Sequence, residues 1–301
     1  MKNGEGSQQE AVLLVNSKSR LGRDSFELAQ TTLLEKGFNL KKSRCYLRAT
    51  DLFNDAKSFV NEIETMIIGG GDGTLNGATN LLVNSNTRLG VLPLGTGNAF
   101  ARDLGIASNV DEAIEVILEG RTEELDVGKC GDYYFVNVVT AGLSSQIAQN
   151  LTGPMKKKFG KAVYLFAVFR ALKDIKSFWL KIETENGTKE FESIQVVIGN
   201  GHYHGGPFPV SPDASLTTGR QSIYIVESST KLSLLKYALA LPTGLQGLMS
   251  QVHAEEAVSG KITTLPSKTV TIDGENRGRT PIIFSTAAQS LKVIVPKNFA
   301  G

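Results

Sequence analysis

Short apolar runs alternate with stretches of helical period through the first part of the chain. Strands are expected over 11–16, 42–47, 65–68 and 89–92, and helices over 24–36, 51–63, 74–83, 99–104 and 110–119. The last of these helices sets Val110, Ala113, Ile114 and Ile117 on one face. Such alternation predicts a parallel sheet covered by helices, with ligands taken at the carboxyl ends of the strands. After Gly128 the pattern turns strand-rich, with strands expected over 133–139, 177–184, 191–200, 222–227, 269–272 and 291–295 and helices near 156–173 and 232–249. Glu185-Asn186-Gly187 fits a hairpin turn. The chain is therefore expected to form an α/β domain over 9–128 and a largely antiparallel β domain over 129–301, whose last residues are free to return to the first domain.

Two of the apolar runs end in glycine. One continues as Gly69-Gly70-Gly71-Asp72-Gly73-Thr74, the other as Gly95-Thr96-Gly97-Asn98. Glycine lets a backbone take φ > 0 or approach a ligand closely, and a helical stretch follows each loop. Free backbone N–H groups then face one crevice, an arrangement suited to phosphate. Thr74 and Thr96 add hydroxyl groups, and Asp72 is the one carboxylate among the glycines. An acid beside phosphate serves Mg²⁺ or a proton. Neither common nucleotide fingerprint fits: Thr74 stands where G-x-G-x-x-G needs glycine, and Gly160-Lys161 is followed by Ala162, with Met155 in the first-glycine position of the P-loop pattern. A plain turn is the bland reading of the first loop, and the second loop makes that reading hard to sustain.

The two loops, with Pro93-Leu94 before the second and Ala99-Phe100-Ala101 after it, resemble the catalytic domain of the diacylglycerol kinase and sphingosine kinase superfamily, and more narrowly its soluble bacterial lipid kinases. Leu125-Asp126-Val127-Gly128, Gly199-Asn200-Gly201 with Gly205-Gly206, Ser211-Pro212-Asp213-Ala214, Ile272-Asp273-Gly274-Glu275 and Val293-Ile294-Val295-Pro296 follow in family order. The similarity runs from about residue 11 to the end. It implies an α/β domain like that of NAD kinases and phosphofructokinases, then a β-sandwich, with the active site in the cleft between. It implies also Mg²⁺ with ATP as phosphoryl donor and a lipid alcohol as acceptor.

By the same resemblance Thr50 helps hold ATP, although an N-cap role is equally open from the sequence. Asn16-Ser17-Lys18-Ser19-Arg20 stands for the family's Asn-Pro-x-Ser-Gly loop, so Asn16 and Ser19 are cofactor-binding candidates. Lys18, Arg20 or Arg23 could neutralise phosphate. Asp273-Gly274-Glu275 reads as a turn by spacing, but it matches the family's Asp-Gly-Glu, whose glutamate takes the acceptor proton. Glu275 is thus the expected base, with Asp273 expected beside it as a further catalytic residue and Asp72 on Mg²⁺ or sharing the task through water. Asp126 is expected to steady the metal or the Gly-Asp loop. Thr218 departs from the aspartate that ligates a structural Mg²⁺ in many bacterial members, and Ala99 from an aspartate after Gly-Thr-x-Asn. His202 and His204 flank Tyr203, and a structural or substrate-lining role is expected for them.

With 301 residues, 41% of them apolar and 21% charged, the chain has an ordinary globular composition. A net charge of +2 argues against nucleic acid as a partner. Basic clusters occur at Lys41, Lys42, Arg44 and Arg48, and at Lys156, Lys157, Lys158 and Lys161, the second beside the apolar stretch 164–169. That second cluster suits an anionic lipid surface. Cys45 and Cys130 make no disulfide framework, residues 1–10 carry no apolar core for a signal peptide, and no run reaches the about 20 apolar residues of a membrane span. A cytoplasmic enzyme that visits the inner face of the membrane is the expectation, and a homodimer is left open. Leu232, Leu234, Leu235, Tyr237, Leu239 and Leu245, with Phe166 and Phe169, are candidates for an acyl groove, core packing being the commoner use of such stripes. The alternatives are a kinase of NAD or a small alcohol, and a catalytically silent nucleotide- or lipid-binding protein, the latter motivated by Thr218 and Ala99.

Overall fold

The structure, a computed structural model, describes residues 9–143, 176–201, 203–204, 208–209, 215–228 and 252–301. Two compact units emerge. The first comprises the described part of Met1–Val127 with Ala288–Gly301, and the second the described part of Gly128–Ala287.

In the first unit β1 (Glu10–Asn16), β2 (Asn39–Tyr46), β3 (Thr65–Gly70) and β4 (Arg88–Pro93) form parallel pairs in the order β2-β1-β3-β4. Val293 of a later strand adds to the far side of β4 through Leu89. Parallel strands covered on both faces need continuous apolar runs, and Ala11–Val15 and Met66–Ile68 are without exposed surface. Strand β2 lies at the edge. Its Lys41, Lys42 and Arg44 discourage further pairing there.

Helices α1 (Gly22–Glu35), α2 (Ala49–Ala56), α3 (Asp72–Leu82), α4 (Ala99–Asp103) and α5 (Val110–Glu119) link or flank the strands. Helix α5 buries the face expected of it, and Asn109 caps it by accepting from the Asp111 N–H at 3.0 Å. The helix expected over 51–63 ends at Ala56, continues as a 3₁₀ turn over Lys57–Phe59 and stops before Asn61, whose φ is 64°. Val15 pairs with Gly69 and Gly70 with Pro93, so the carboxyl ends of β1, β3 and β4 come out at one edge of the sheet.

The second unit is antiparallel. It contains β6 (Tyr133–Phe135), β7 (Val138–Gly142), β8 (Phe178–Thr184), β9 (Gly187–Gly199), the short pair β10 (Tyr203–His204) and β11 (Phe208–Pro209), β12 (Gln221–Glu227), β13 (Val252–Ala257), β14 (Ser259–Leu265), β15 (Thr269–Ile272) and β16 (Glu275–Arg279). Strand β5 (Arg121–Cys130) and strand β17 (Ile282–Val295) contribute residues to both units. The long β9 organises the sheet: its first half pairs with β8, and its second half with β7 on one side and β12 on the other. Phe135, Phe178, Leu180, Ile198, Ile225, Ile262, Ile272 and Phe284 fill the core of this β-sandwich. Cys130 is buried against that core, which pushes its thiol pKa up to about 11.

The single strand expected over 133–139 is broken at Val136-Asn137. The N–H groups of Val136, Asn137 and Val138 are taken by the Asp273 carboxylate, so they cannot join a ladder. The last strand starts nine residues earlier than the pattern suggested (291 − 282), because Ile282–Ser285 pair with β14. The turn Glu185-Asn186 joins β8 to β9, as expected from its sequence. The helices expected near 156–173 and 232–249, the lysine cluster at 156–161, the groove candidates among them, His202, Gly205-Gly206 and Ser211–Ala214 as a segment (211–214) lie outside the described residues.

Candidate active site

Both glycine loops belong to the first unit and meet backbone to backbone. A Cβ at Gly95 would stand 2.7 Å from the Gly71 Cα and 2.8 Å from Asn98 Oδ1, so only glycine allows this approach. Five further contacts fix the loops. The Leu94 N–H donates to the Gly70 carbonyl at 2.8 Å. Asn98, at φ 50°, accepts from the Gly95 N–H at 2.9 Å and donates to the Pro93 carbonyl at 3.2 Å. Asp72 Oδ1 accepts from the Ala99 N–H at 2.7 Å, tying the first loop to the helix that follows the second. Asn16 Nδ2 donates to Thr74 Oγ1 at 3.0 Å, which leaves the Thr74 hydroxyl proton available to another acceptor.

Asn16, Gly69, Gly70, Gly71, Asp72, Thr74, Gly95 and Asn98 are thus brought together. Gly73 is exposed, with open space where a Cβ would stand, and Thr96 is exposed at the tip of the second loop. Ser19 shapes the β1 loop, its N–H donating to the Asn16 carbonyl and its carbonyl accepting from the Gly22 N–H, both at 3.1 Å. Thr50 is exposed in the first turn of α2. The N-cap of that helix is Arg48, so the capping alternative for Thr50 does not hold.

The carboxylates differ in environment. Burial pushes the Asp72 pKa up, while the N–H groups of Ala99, Phe100 and Asn98 oppose the shift. A half-buried carboxylate in that condition favours a nearby cation. Asp126 is 3% exposed and accepts from the Gln289 N–H at 2.8 Å, where Gln289 has φ 49°.

In the second unit Asp273 accepts from Val136 at 3.1 Å, Asn137 at 3.1 Å and Val138 at 2.7 Å. Its own N–H donates to the Val138 carbonyl, and Asp273 and Gly274 turn the chain at φ 46° and 84°. Glu275 follows, exposed at the start of edge strand β16 and hydrogen-bonded by the Arg277 guanidinium, which stacks 4.5 Å from the Tyr133 ring centroid. Sequence reasoning missed Arg277. Its signal was the two-residue spacing from Glu275, which puts both on one face of a strand. It missed Asn137 too, a buried residue inside an apolar run.

Among the described residues no group of three or more His, Cys, Asp or Glu side chains could enclose a metal. That donor set still fits Mg²⁺ brought in on phosphate, since the ion keeps several waters and asks for one or two carboxylates.

Residues 10–130 match the diacylglycerol kinase catalytic domain family, and residues 137–295 match the YegS C-terminal NAD kinase beta sandwich-like domain family. The chain belongs to the diacylglycerol kinase family. A diacylglycerol kinase of Staphylococcus epidermidis is 29% identical over 257 residues, 83% of this chain and 81% of that protein. One of Staphylococcus aureus is also 29% identical over 257 residues, covering 83% and 82%. A crystal structure of a provisionally assigned diacylglycerol kinase from Bacillus anthracis strain Sterne superposes with a TM-score of 0.85 at 26% identity, over 100% of both chains. The chain is accordingly a kinase that phosphorylates an alcohol. Among the described residues no helix is long and apolar enough to cross a membrane.

Proposed function

We propose that this kinase transfers the γ-phosphoryl group of ATP to the hydroxyl of diacylglycerol or a related lipid alcohol presented at a membrane surface. The observation that carries the reading is the Gly71–Gly95 backbone approach, closed by the Asp72–Ala99 hydrogen bond. It sets two glycine loops, each leading into a helix, against one another with one carboxylate beside them, an arrangement that suits phosphoryl transfer. The relatives named as diacylglycerol kinases support the lipid acceptor.

In this proposal the loops 69–74 and 95–98, with Asn16, Ser19 and Thr50, hold the nucleotide. Asp72 would hold Mg²⁺, which when bound neutralises charge on the phosphates. Glu275 takes the proton of the acceptor hydroxyl as the acceptor oxygen bonds to the γ-phosphorus and the bond to the ADP oxygen breaks. Asp273 is a positioning residue, not a second acid: its two oxygens serve three backbone N–H groups and hold the turn that presents Glu275. Asp126 holds the backbone at Gln289 and so supports the first unit rather than the metal.

The test is purified protein with ATP and Mg²⁺ against mixed micelles of diacylglycerol, phosphatidylglycerol, ceramide and sphingoid bases, with NAD as a soluble control. A phosphorylated lipid is expected. No lipid product, or phosphorylation of NAD instead, would sink the proposal.

A further inference from the structure

We propose that Asn200 and Gln221 are positioning residues for Glu275, holding the carbonyl side of the Val136-Asn137 break whose N–H side is taken by Asp273. The inference rests on Glu275 being the base and goes beyond it to the residues that place that base.

The strand register brings three amide side chains together. Gly199 pairs with Val138 on β7 and with Ser222 on β12. One step beyond that row, at the ends of three adjacent strands, stand Asn137, Asn200 and Gln221, which are 1%, 2% and 0% exposed. Hydrogen bonds follow the row. Gln221 Nε2 donates to Asn200 Oδ1 at 2.8 Å and to the Thr286 hydroxyl at 3.3 Å. The Asn200 N–H donates to the Asn137 carbonyl at 2.9 Å, and Asn200 Nδ2 reaches the Val136 carbonyl at 3.5 Å.

Val136-Asn137 is thereby held on both edges. Its two N–H groups go to the Asp273 carboxylate, and its two carbonyls go to Asn200. Asp273 opens the turn into Glu275, which pairs back on Ile272. A shift of the break therefore passes through Asp273 to Glu275. The 3.5 Å contact is the weakest of the set, and this gives Gln221 its part. By donating to Asn200 Oδ1 it fixes which way round that amide lies and leaves Nδ2 for Val136.

Stability does not account for the row. Among the described residues Asn137 Oδ1 and Gln221 Oε1 have no hydrogen-bond partner, and a buried acceptor in that condition destabilises the fold. Apolar side chains would close this end of the sandwich without the loss. A local rule broken in this way is expected where geometry serves function. Gly199-Asn200-Gly201, one of the motifs that follow the glycine loops in the chain, gains a role by the same argument.

The test is a double-mutant cycle in the full chain, with turnover read at saturating ATP on the acceptor that the lipid and NAD panel identifies. Asn200→Ala and Gln221→Met should each lower kcat by between about tenfold and about 10²-fold. The KM for ATP should stay at its wild-type value, since both glycine loops belong to the first unit. Gln221→Met keeps the length of the side chain and removes its donor, so it carries the test should Asn200→Ala fail to fold. In a Glu275→Gln background the same substitutions should cost less than about twofold more, because the base that they place is gone. Ile225→Val, a core change outside the row, should lower the melting midpoint and keep kcat. Wild-type kcat in Gln221→Met, an undiminished further loss in the Glu275→Gln background, or an equal loss in Ile225→Val overturns the inference. The two readings fail separately. Wild-type turnover in Glu275→Gln sinks the base and its positioning together, whereas lost turnover there with undiminished further losses sinks the positioning alone.

Discussion

Replacing Asp273 separates its proposed positioning role from catalysis. In the wild type its carboxylate accepts from the N–H groups of Val136, Asn137 and Val138, residues 1%, 1% and 7% exposed. Asp273→Ala leaves those donors without an acceptor in a place that water reaches poorly. Each orphaned donor costs about 1–3 kcal/mol, and three sharing one carboxylate do not add in full, so the loss is about 3–5 kcal/mol. For a unit of this size each kcal/mol moves the midpoint by about 2–4 °C, which makes the expected drop roughly 10 °C. Asp273→Asn keeps Oδ1 for Asn137 and Val138 but sets an NH₂ group or a neutral oxygen against Val136, and about 1–3 kcal/mol is expected. Thermal unfolding followed by circular dichroism reads both values. Turnover in the asparagine variant should fall less than the about 10²–10⁴-fold expected for loss of a general base. An Asp273→Asn protein that melts as the wild type does and has lost turnover by that factor would refute the positioning role and make Asp273 the acid that reacts.

Asp72→Asn should abolish transfer while leaving the protein at least as stable at pH 7. A folded pKa raised by burial means that Asp72 contributes stability fully below the unfolded value of about 4 and loses it as pH rises through the folded value. The gain of the variant should therefore vanish in acid, as paired melts across pH will tell. Glu275→Gln should cut turnover about 10²–10⁴-fold with ATP affinity retained, and near wild-type turnover would make Asp72 the base. Gly95→Ala places a methyl 2.7 Å from the Gly71 Cα, so the loops must part, at about 1–3 kcal/mol and with loss of ATP binding by calorimetry. Metal analysis of dialysed protein should find no stoichiometric Mg²⁺ or Ca²⁺ around Ser215, Thr218 and Arg220, since Thr218 offers a hydroxyl in place of a carboxylate and Arg220 is turned to Glu185 at 2.9 Å.

What the sequence made legible depended on how far away each residue's partner is. The strands of the first unit stand out because both faces are buried, so every position from Ala11 to Val15 had to be apolar. Asn98 could be picked from the chain because the group it serves, the Gly95 N–H, is three residues away. Strand β16 had no such signal: all of Glu275-Asn276-Arg277-Gly278-Arg279 is exposed on an edge, and no alternation of apolar and polar residues is left to detect. Strand β13 hid in the same way, as Val252-His253-Ala254-Glu255-Glu256-Ala257 is rich in helix formers and is held by its pairing with β12.

The carboxylates were hardest. Asp72, Asp273 and Asp126 look alike as isolated acids near glycine. Their roles are set by amides 27, 135–137 and 163 residues away in the chain. Family resemblance carried the position of each acid across that distance but not its bonding: nothing near Asp273 in the chain announces the three amides of Val136, Asn137 and Val138 that its carboxylate accepts from.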